Sequence, residues 1–220
     1  MSNIIDENQD ELIHHCIIPV NGLLSDFINL PEDCGVCIDV SIHSTNRVLF
    51  LEKSALDFET CLNIWSKCLE STIGSPYRRT LMIRVRSHSI EEECIKLLEK
   101  YGITDYFFEG SSFLDVFNVR THSPDSAKFA YRLSEYEGIE NLLRNPELYD
   151  WLLIDSLTGK NILNWSLYSW AKQNGISICV KAPALNDLPY KSTFFQKCEK
   201  YDNITMFVPV SYLDCFFDTP

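Results

Sequence analysis

Residues 151–181 read WLLIDSLTGKNILNWSLYSWAKQNGISICVK. Two short apolar runs, 151–154 and 176–180, flank a helical stretch at 163–173 that Asn174-Gly175 closes. Neither run alternates with polar residues, so each reads as a strand covered on both faces, the habit of parallel sheets. A strand–helix–strand unit crosses over right-handed and lays its helix outside such a sheet. The rest of the chain repeats this unit.

Upstream, residues 16–20 and 35–42 (GVCIDVSI) read as strands, with a short helix expected over 23–30 after Asn21-Gly22. Residues 47–51 form a partner strand across a Ser-Thr-Asn turn. A helix over 57–70 puts Phe58, Cys61, Leu62, Trp65, Cys68 and Leu69 on one face, with Asp57 as its N-cap. Residues 80–85 are the next strand. The helix at 89–101 is opened by Ser89 and three glutamates, as the helix dipole favours, and ended by Gly102. Strands at 105–108 and 127–133 follow, with short helices near 112–119 and 139–144. Beyond the quoted stretch come a helix over 190–201 and a last strand at 204–208. About eight strand–helix units in so short a chain predict an α/β fold, a compact (β/α)8 barrel of parallel strands. An open doubly wound sheet is the alternative, and either places its working site at the carboxyl ends of the strands.

No Gly/Ser linker or charge block divides the 220 residues, which read as one domain. A polar segment covers 1–13, the barrel 14–209 and a tail 210–220. Hydrophobic residues make up 45% of the chain, enough for a sizeable core, and no apolar run approaches the length of a membrane span. The acidic N-terminus lacks the pattern of a secretory signal, so a cytoplasmic protein is expected. A net charge of −12 disfavours nucleic acid as a partner. It does not exclude a small anion, because cations inside a pocket override the global field. Most of the nine cysteines fall at apolar positions and read as small buried hydrophobes.

Familiar catalytic motifs are missing: there is no G-x-S-x-G elbow, no Walker loop and no G-x-G-x-x-G. Cys34-Gly-Val-Cys37 runs into a strand rather than opening a helix, which argues against redox or zinc chemistry. Gly110-Ser111-Ser112 suits either a phosphate at a helix start or an ordinary N-cap. His14-His15 precedes the first strand and reads as solvated. His43 and His88 each follow a strand at the end where barrel enzymes keep their catalysts, and are the candidate acid–base residues. The stretch 131–137, YRLSEYE, delivers Arg132, Ser134, Glu135 and Glu137 to one strand end. An arginine inside an apolar strand must be paired if buried, so Arg132 either pairs at the rim with Glu135 or Glu137 or lines a pocket.

Taken in order, GVCIDVSI (35–42), RVLFLEKS (47–54), LMIRVRS (81–87), DYFFEGSS (105–112), FAYRLSEYE (129–137), DWLLIDSLTG (150–159) and ISICVKAPALND (176–187) resemble the glycerophosphodiester phosphodiesterase family. That family shares its barrel with phosphatidylinositol-specific phospholipase C. The resemblance implies two histidines for acid–base work and a carboxylate cluster for a divalent cation, Mg or Ca. The family's first histidine turn falls on Pro19-Val20-Asn21-Gly22, its Glu-x-Asp on Cys37-Ile38-Asp39, and its later His-Asp pair on Leu51-Glu52. Both histidines are therefore replaced.

What survives is Asp39 and Glu52, which with Glu109 and Asp155 are the expected metal ligands. Arg132, Glu135 and Lys181 are the expected contacts to a phosphorylated or otherwise anionic small molecule. The leading expectation is a diverged phosphodiesterase-like barrel that binds such a molecule with hydrolysis weak or lost. A second is a non-catalytic scaffold or homo-oligomer associating through tail aromatics, Phe207, Tyr212, Phe216 and Phe217. A third is a metal-dependent hydrolase with relocated residues, built on His43, His88, Asp39 and Glu52.

Overall fold

The structure, a computed structural model, describes residues 15–20, 30–31, 34–45, 47–54, 56–70, 79–122, 127–160, 162–186, 193–198 and 200–212. Its strands are β1 (His15–Pro19), β2 (Cys34–Ile42), β3 (Leu49–Leu51), β4 (Leu81–Val85), β5 (Tyr106–Glu109), β6 (Ala130–Leu133), β7 (Trp151–Ile154), β8 (Ser177–Lys181) and β9 (Ile204–Phe207). Helices α1 (Phe58–Glu70), α2 (Glu91–Lys100), α3 (Phe113–His122), α4 (Glu140–Arg144), α5 (Trp165–Gln173) and α6 (Thr193–Cys198) fall between them.

Eight strands pair side by side in the order β5-β4-β2-β1-β9-β8-β7-β6, every pair parallel. A parallel bridge between Phe108 and Phe129 joins β5 to β6, and Phe108 N–H donates to the Lys128 carbonyl at 2.8 Å. The ring is thereby nearly closed as a barrel, not splayed as an open sheet. The extra strand β3 folds back antiparallel on β2.

Alternation along each strand divides the core in two. One set of side chains, including Val36, Ile38, Ile83, Phe108, Leu152 and Ile178, packs outward under the helices with Phe58, Trp65 and Leu98. The other set fills the barrel: Ile17, Cys37, Met82, Phe107, Trp151, Leu153, Cys179 and Phe207. Phe107 stacks on Trp151 with ring centroids 4.5 Å apart. The barrel is a packed plug below its upper mouth, as small barrels are. Cys34 belongs to the outer set and Cys37 to the inner. Burial pushes the Cys37 thiol up to about 12, which leaves it inert.

Local signals explain most helix ends. Asp57 caps α1, accepting from Thr60 N–H at 2.7 Å, and Asn164 caps α5, accepting from Leu167 N–H at 3.0 Å. Ser89 does not cap α2. It sits at a φ of 55° and donates its hydroxyl to Asp115 at the start of α3, so α2 begins two residues later behind Ile90. β6 begins at Ala130, later than expected, because Asp150 Oδ2 takes the Phe129 N–H at 2.9 Å. The helix expected over 23–30 lies outside the described residues except for Leu30, and only Thr193–Cys198 of the expected 190–201 helix is described. No helix among the described residues is long and apolar enough to cross a membrane.

The tail expectation is corrected at two positions. Phe207 fills the barrel interior and Tyr212 is buried, so neither contributes to an exposed patch; Phe216 and Phe217 lie outside the described residues.

Candidate ligand site at the mouth of the barrel

Toward the mouth each strand carries an inward-facing side chain. On six consecutive strands that side chain is charged, and the sign alternates: Asp39 on β2, Arg84 on β4, Glu109 on β5, Arg132 on β6, Asp155 just past β7 and Lys181 on β8. Register places Asp39 beside Arg84 and Arg84 beside Glu109. Beside Lys181 the ring passes to apolar Phe207, over whose face the Arg84 guanidinium lies at 5.6 Å. The alternation has a plain cause, since charges lifted off a dry plug must be paired to be tolerated.

Two carboxylates anchor the ring. Asp39, almost fully buried, accepts from Arg84 Nη2 at Oδ2 and from Arg86 Nε at Oδ1, each at 2.7 Å, with Lys53 Nζ at 3.9 Å. Asp155, buried to 2% exposure, receives Arg132 Nη2 at 2.9 Å and Lys181 Nζ at 3.1 Å on Oδ2. Asn186 donates to its Oδ1 at 2.7 Å and accepts from Lys181 Nζ at 2.7 Å. Arg132 is thus paired with Asp155 of the neighbouring strand end, not with Glu135; its Nε also forms an ion pair with Glu137 at 3.8 Å, too far for a hydrogen bond.

Glu109 differs from both. It is 7% exposed, yet among the described residues its carboxylate accepts no hydrogen bond and closes no ion pair. Burial raises its pKa above the ordinary 4.5, and the charges of Arg84, Arg132, Arg86 and Lys181 only partly offset this. On the strands either side of it, Arg84 Nε and Arg132 Nε are buried donors without a hydrogen-bond partner. Orphaned N–H groups of this kind need an acceptor.

The remaining expected residues take other positions. Glu52, at the rim, is held by the Ser41 hydroxyl at 2.5 Å, and its N–H donates to the Asp39 carbonyl at 3.1 Å, so it sits beside Asp39. Glu135 is committed to the loop after β7, accepting from the Ser156 hydroxyl (2.7 Å), Leu157 N–H (2.8 Å), Thr158 N–H (3.1 Å) and the Thr158 hydroxyl (2.6 Å). It acts as a loop clamp, where a ligand contact was expected. His43 follows the last residue of β2, four positions beyond Asp39 and about 13 Å further along the strand direction, where it stacks on Phe50 at 4.1 Å. His88 lies exposed in the loop after β4. Neither imidazole joins the ring.

The divalent-cation expectation does not fit these residues. Asp39 and Asp155 have both oxygens taken by cations or amide, and Arg84 stands between Asp39 and Glu109. Among the described residues no group of three or more His, Cys, Asp or Glu is placed to hold a metal ion. Arg84 and Arg86 were the residues missed in the sequence. The signal was present, since both are charged residues two apart in an apolar strand, the same feature that singled out Arg132.

No protein-family model and no curated protein matches the chain. Solved structures do. A phosphodiesterase from Oleispira antarctica, in complex with the product sn-glycerol-3-phosphate, superposes with a TM-score of 0.60 at 11% identity, over 89% of this chain and 93% of that one. The fold is that of the glycerophosphodiester phosphodiesterase and phospholipase C barrels. A glycerophosphodiester phosphodiesterase from Agrobacterium tumefaciens gives 0.53 at 10% identity over 90% and 96%. A calcium-dependent phosphoinositol-specific phospholipase C from a Pseudomonas species gives 0.54 at 10% over 86% and 87%. At such identities the likeness establishes the architecture and leaves the chemistry to the site.

Proposed function

We propose that this phosphodiesterase-like barrel binds a small phosphorylated or otherwise anionic molecule at its mouth, with hydrolysis weak or lost. The observation that carries the reading is the pair of orphaned guanidinium donors, Arg84 Nε and Arg132 Nε, flanking Glu109. A phosphate oxygen is the acceptor such donors suit best, because guanidinium and phosphate match in charge and geometry. Arg84, Arg86, Arg132 and Lys181 outnumber Asp39, Glu109 and Asp155 at the ring, so the mouth gathers cations on a chain of net charge −12. The Oleispira enzyme's complex with sn-glycerol-3-phosphate supports the size and charge of the molecule.

Weak or lost hydrolysis rests on the histidines. The chain has five. His15 opens β1 at the end opposite the mouth, His122 ends α3, His43 and His88 stand off the ring, and His14 lies outside the described residues. Among the described residues, phosphodiester cleavage would have no imidazole at the ring to move its protons. Calorimetric titration of sn-glycerol 3-phosphate and inorganic phosphate tests the binding, with glycerophosphodiester turnover measured in parallel. Saturable binding that Arg132→Ala weakens at least tenfold, with turnover near background, is the expected result. Turnover that His43→Ala and His88→Ala abolish would restore the relocated hydrolase instead.

A second reading, association with another copy of the chain, has one observation behind it. Phe113, Leu114 and Phe117 form an exposed apolar strip on α3, with Phe113 stacked on Phe117. Light scattering of the native chain and of Phe117→Glu tests it; a monomer in both cases removes it.

A further inference from the structure

The carboxylates that a divalent cation would need are present at the mouth, yet a side chain of the protein stands among them. Arg84 is the lateral neighbour of Asp39 on one side and of Glu109 on the other. Its Nη2 is 2.7 Å from Asp39 Oδ2, and its side chain is only 16% exposed. The partner oxygen of Asp39 is covered by Arg86. Glu109 is left as a buried carboxylate that no donor reaches, with a fixed positive charge next to it. We propose that Arg84 stands in for the divalent cation: its guanidinium supplies the positive charge between Asp39 and Glu109, so the mouth engages its anion without metal.

The physical consequence is an exchange. A metal ion would have to displace Arg84 from Asp39 and approach a guanidinium at close range, both unfavourable where little water screens the charges. Removing the guanidinium leaves Asp39 and Glu109 on the strands either side of the vacated position, two carboxylates of the kind hard divalent cations prefer. Arg84 is then a specificity-determining residue, selecting an anion over a metal–anion pair. It offers directional N–H donors, including the unpartnered Nε, where a metal offers coordination.

This inference rests on the anion-binding reading for the ligand, but its metal arm is separable. Mn²⁺ alone is titrated into the native protein, Arg84→Ser, and Arg84→Ser with Arg86→Ser, followed by electron paramagnetic resonance and calorimetry. The native chain is expected to show no saturable Mn²⁺ binding. Arg84→Ser is expected to gain a site that binds roughly tenfold or more tightly than any native background and that Asp39→Asn abolishes. A native site for Mn²⁺ that depends on Asp39 overturns the proposal, as does failure of a folded Arg84→Ser to gain one. If Arg84→Ser does not fold, the native titration decides alone, with Arg84→Lys, which keeps the charge, expected to remain metal-free. Phosphate binding is measured in EDTA and in Mn²⁺ as the second arm. Equal affinity is expected, and a requirement for Mn²⁺ overturns the proposal. Absence of phosphate binding in both, with the Mn²⁺ results as expected, would overturn the anion reading while leaving Arg84 in the cation's place.

Discussion

At the scale of single residues, Glu109 sets the pH behaviour of the mouth. Burial lifts its pKa above 4.5 in the folded chain, so the unfolded chain loses this proton first as pH rises. Stability therefore falls from about pH 4.5 upward through the folded pKa, and the newly ionised carboxylate also repels an incoming anion. Glu109→Gln keeps the mouth neutral at this position. It should raise the melting temperature near neutral pH, tighten phosphate binding there by about tenfold, and flatten the pH dependence of affinity. Unchanged pH profiles for both would show that Glu109 does not titrate in this range. The residue scale is also where sequence reasoning succeeded and slipped together. Arg132, Glu109, Asp155 and Lys181 stand in or at the ends of apolar runs in the sequence, Asp39 falls on the family's Glu-x-Asp, and the structure brings all five into one ring. Arg84 was passed over although its surroundings in sequence are like those of Arg132. Its importance comes from which strand lies on either side, and a single strand does not report its neighbours.

At the scale of elements, two local devices hold the mouth in shape. Glu135 ties the end of β6 to the loop after β7 through four hydrogen bonds. Burial works to raise its pKa, but the bonds from Thr158, Ser156 and Leu157 outweigh this and hold it down at about 2. A depressed carboxylate contributes stability above its unfolded pKa of 4.5 and loses it as pH falls toward 2. Glu135→Gln should therefore lower the melting temperature at pH 7 more than at pH 3, and an equal loss at both would remove the electrostatic account. The second device is Gly110, directly after Glu109, at a φ of 88°, where an added Cβ would lie 2.9 Å from the Val85 carbonyl oxygen. Gly110→Ala is expected to cost about 2 kcal/mol in denaturant unfolding, and a neutral result would show that the turn relaxes. The N-cap reading of the Gly110-Ser111-Ser112 turn has a structural counterpart, since Asp115 N–H donates to the Ser112 hydroxyl at 3.2 Å. Ser89 went the other way because its hydroxyl found a partner on the next helix, a tertiary contact that local sequence does not encode.

At the scale of the whole molecule, the barrel was legible because its strands are apolar on both faces and its helices carry one apolar face each. These are properties of covered parallel sheets that survive when sequence identity to known structures falls to 10–12%. Burial of Phe207 and Tyr212 was not legible, because a terminal aromatic reads alike whether it plugs a barrel or faces outward. The account as a whole turns on one arrangement: an acidic protein that gathers arginine and lysine at one mouth and leaves two guanidinium donors unsatisfied there. A crystal of the native chain soaked in phosphate with EDTA tests that arrangement most directly. The account predicts tetrahedral density within hydrogen-bonding distance of both Arg84 Nε and Arg132 Nε, unaccompanied by a metal ion. Phosphate that binds only at other surfaces, or that enters the mouth with a cation displacing Arg84 from Asp39, would contradict it.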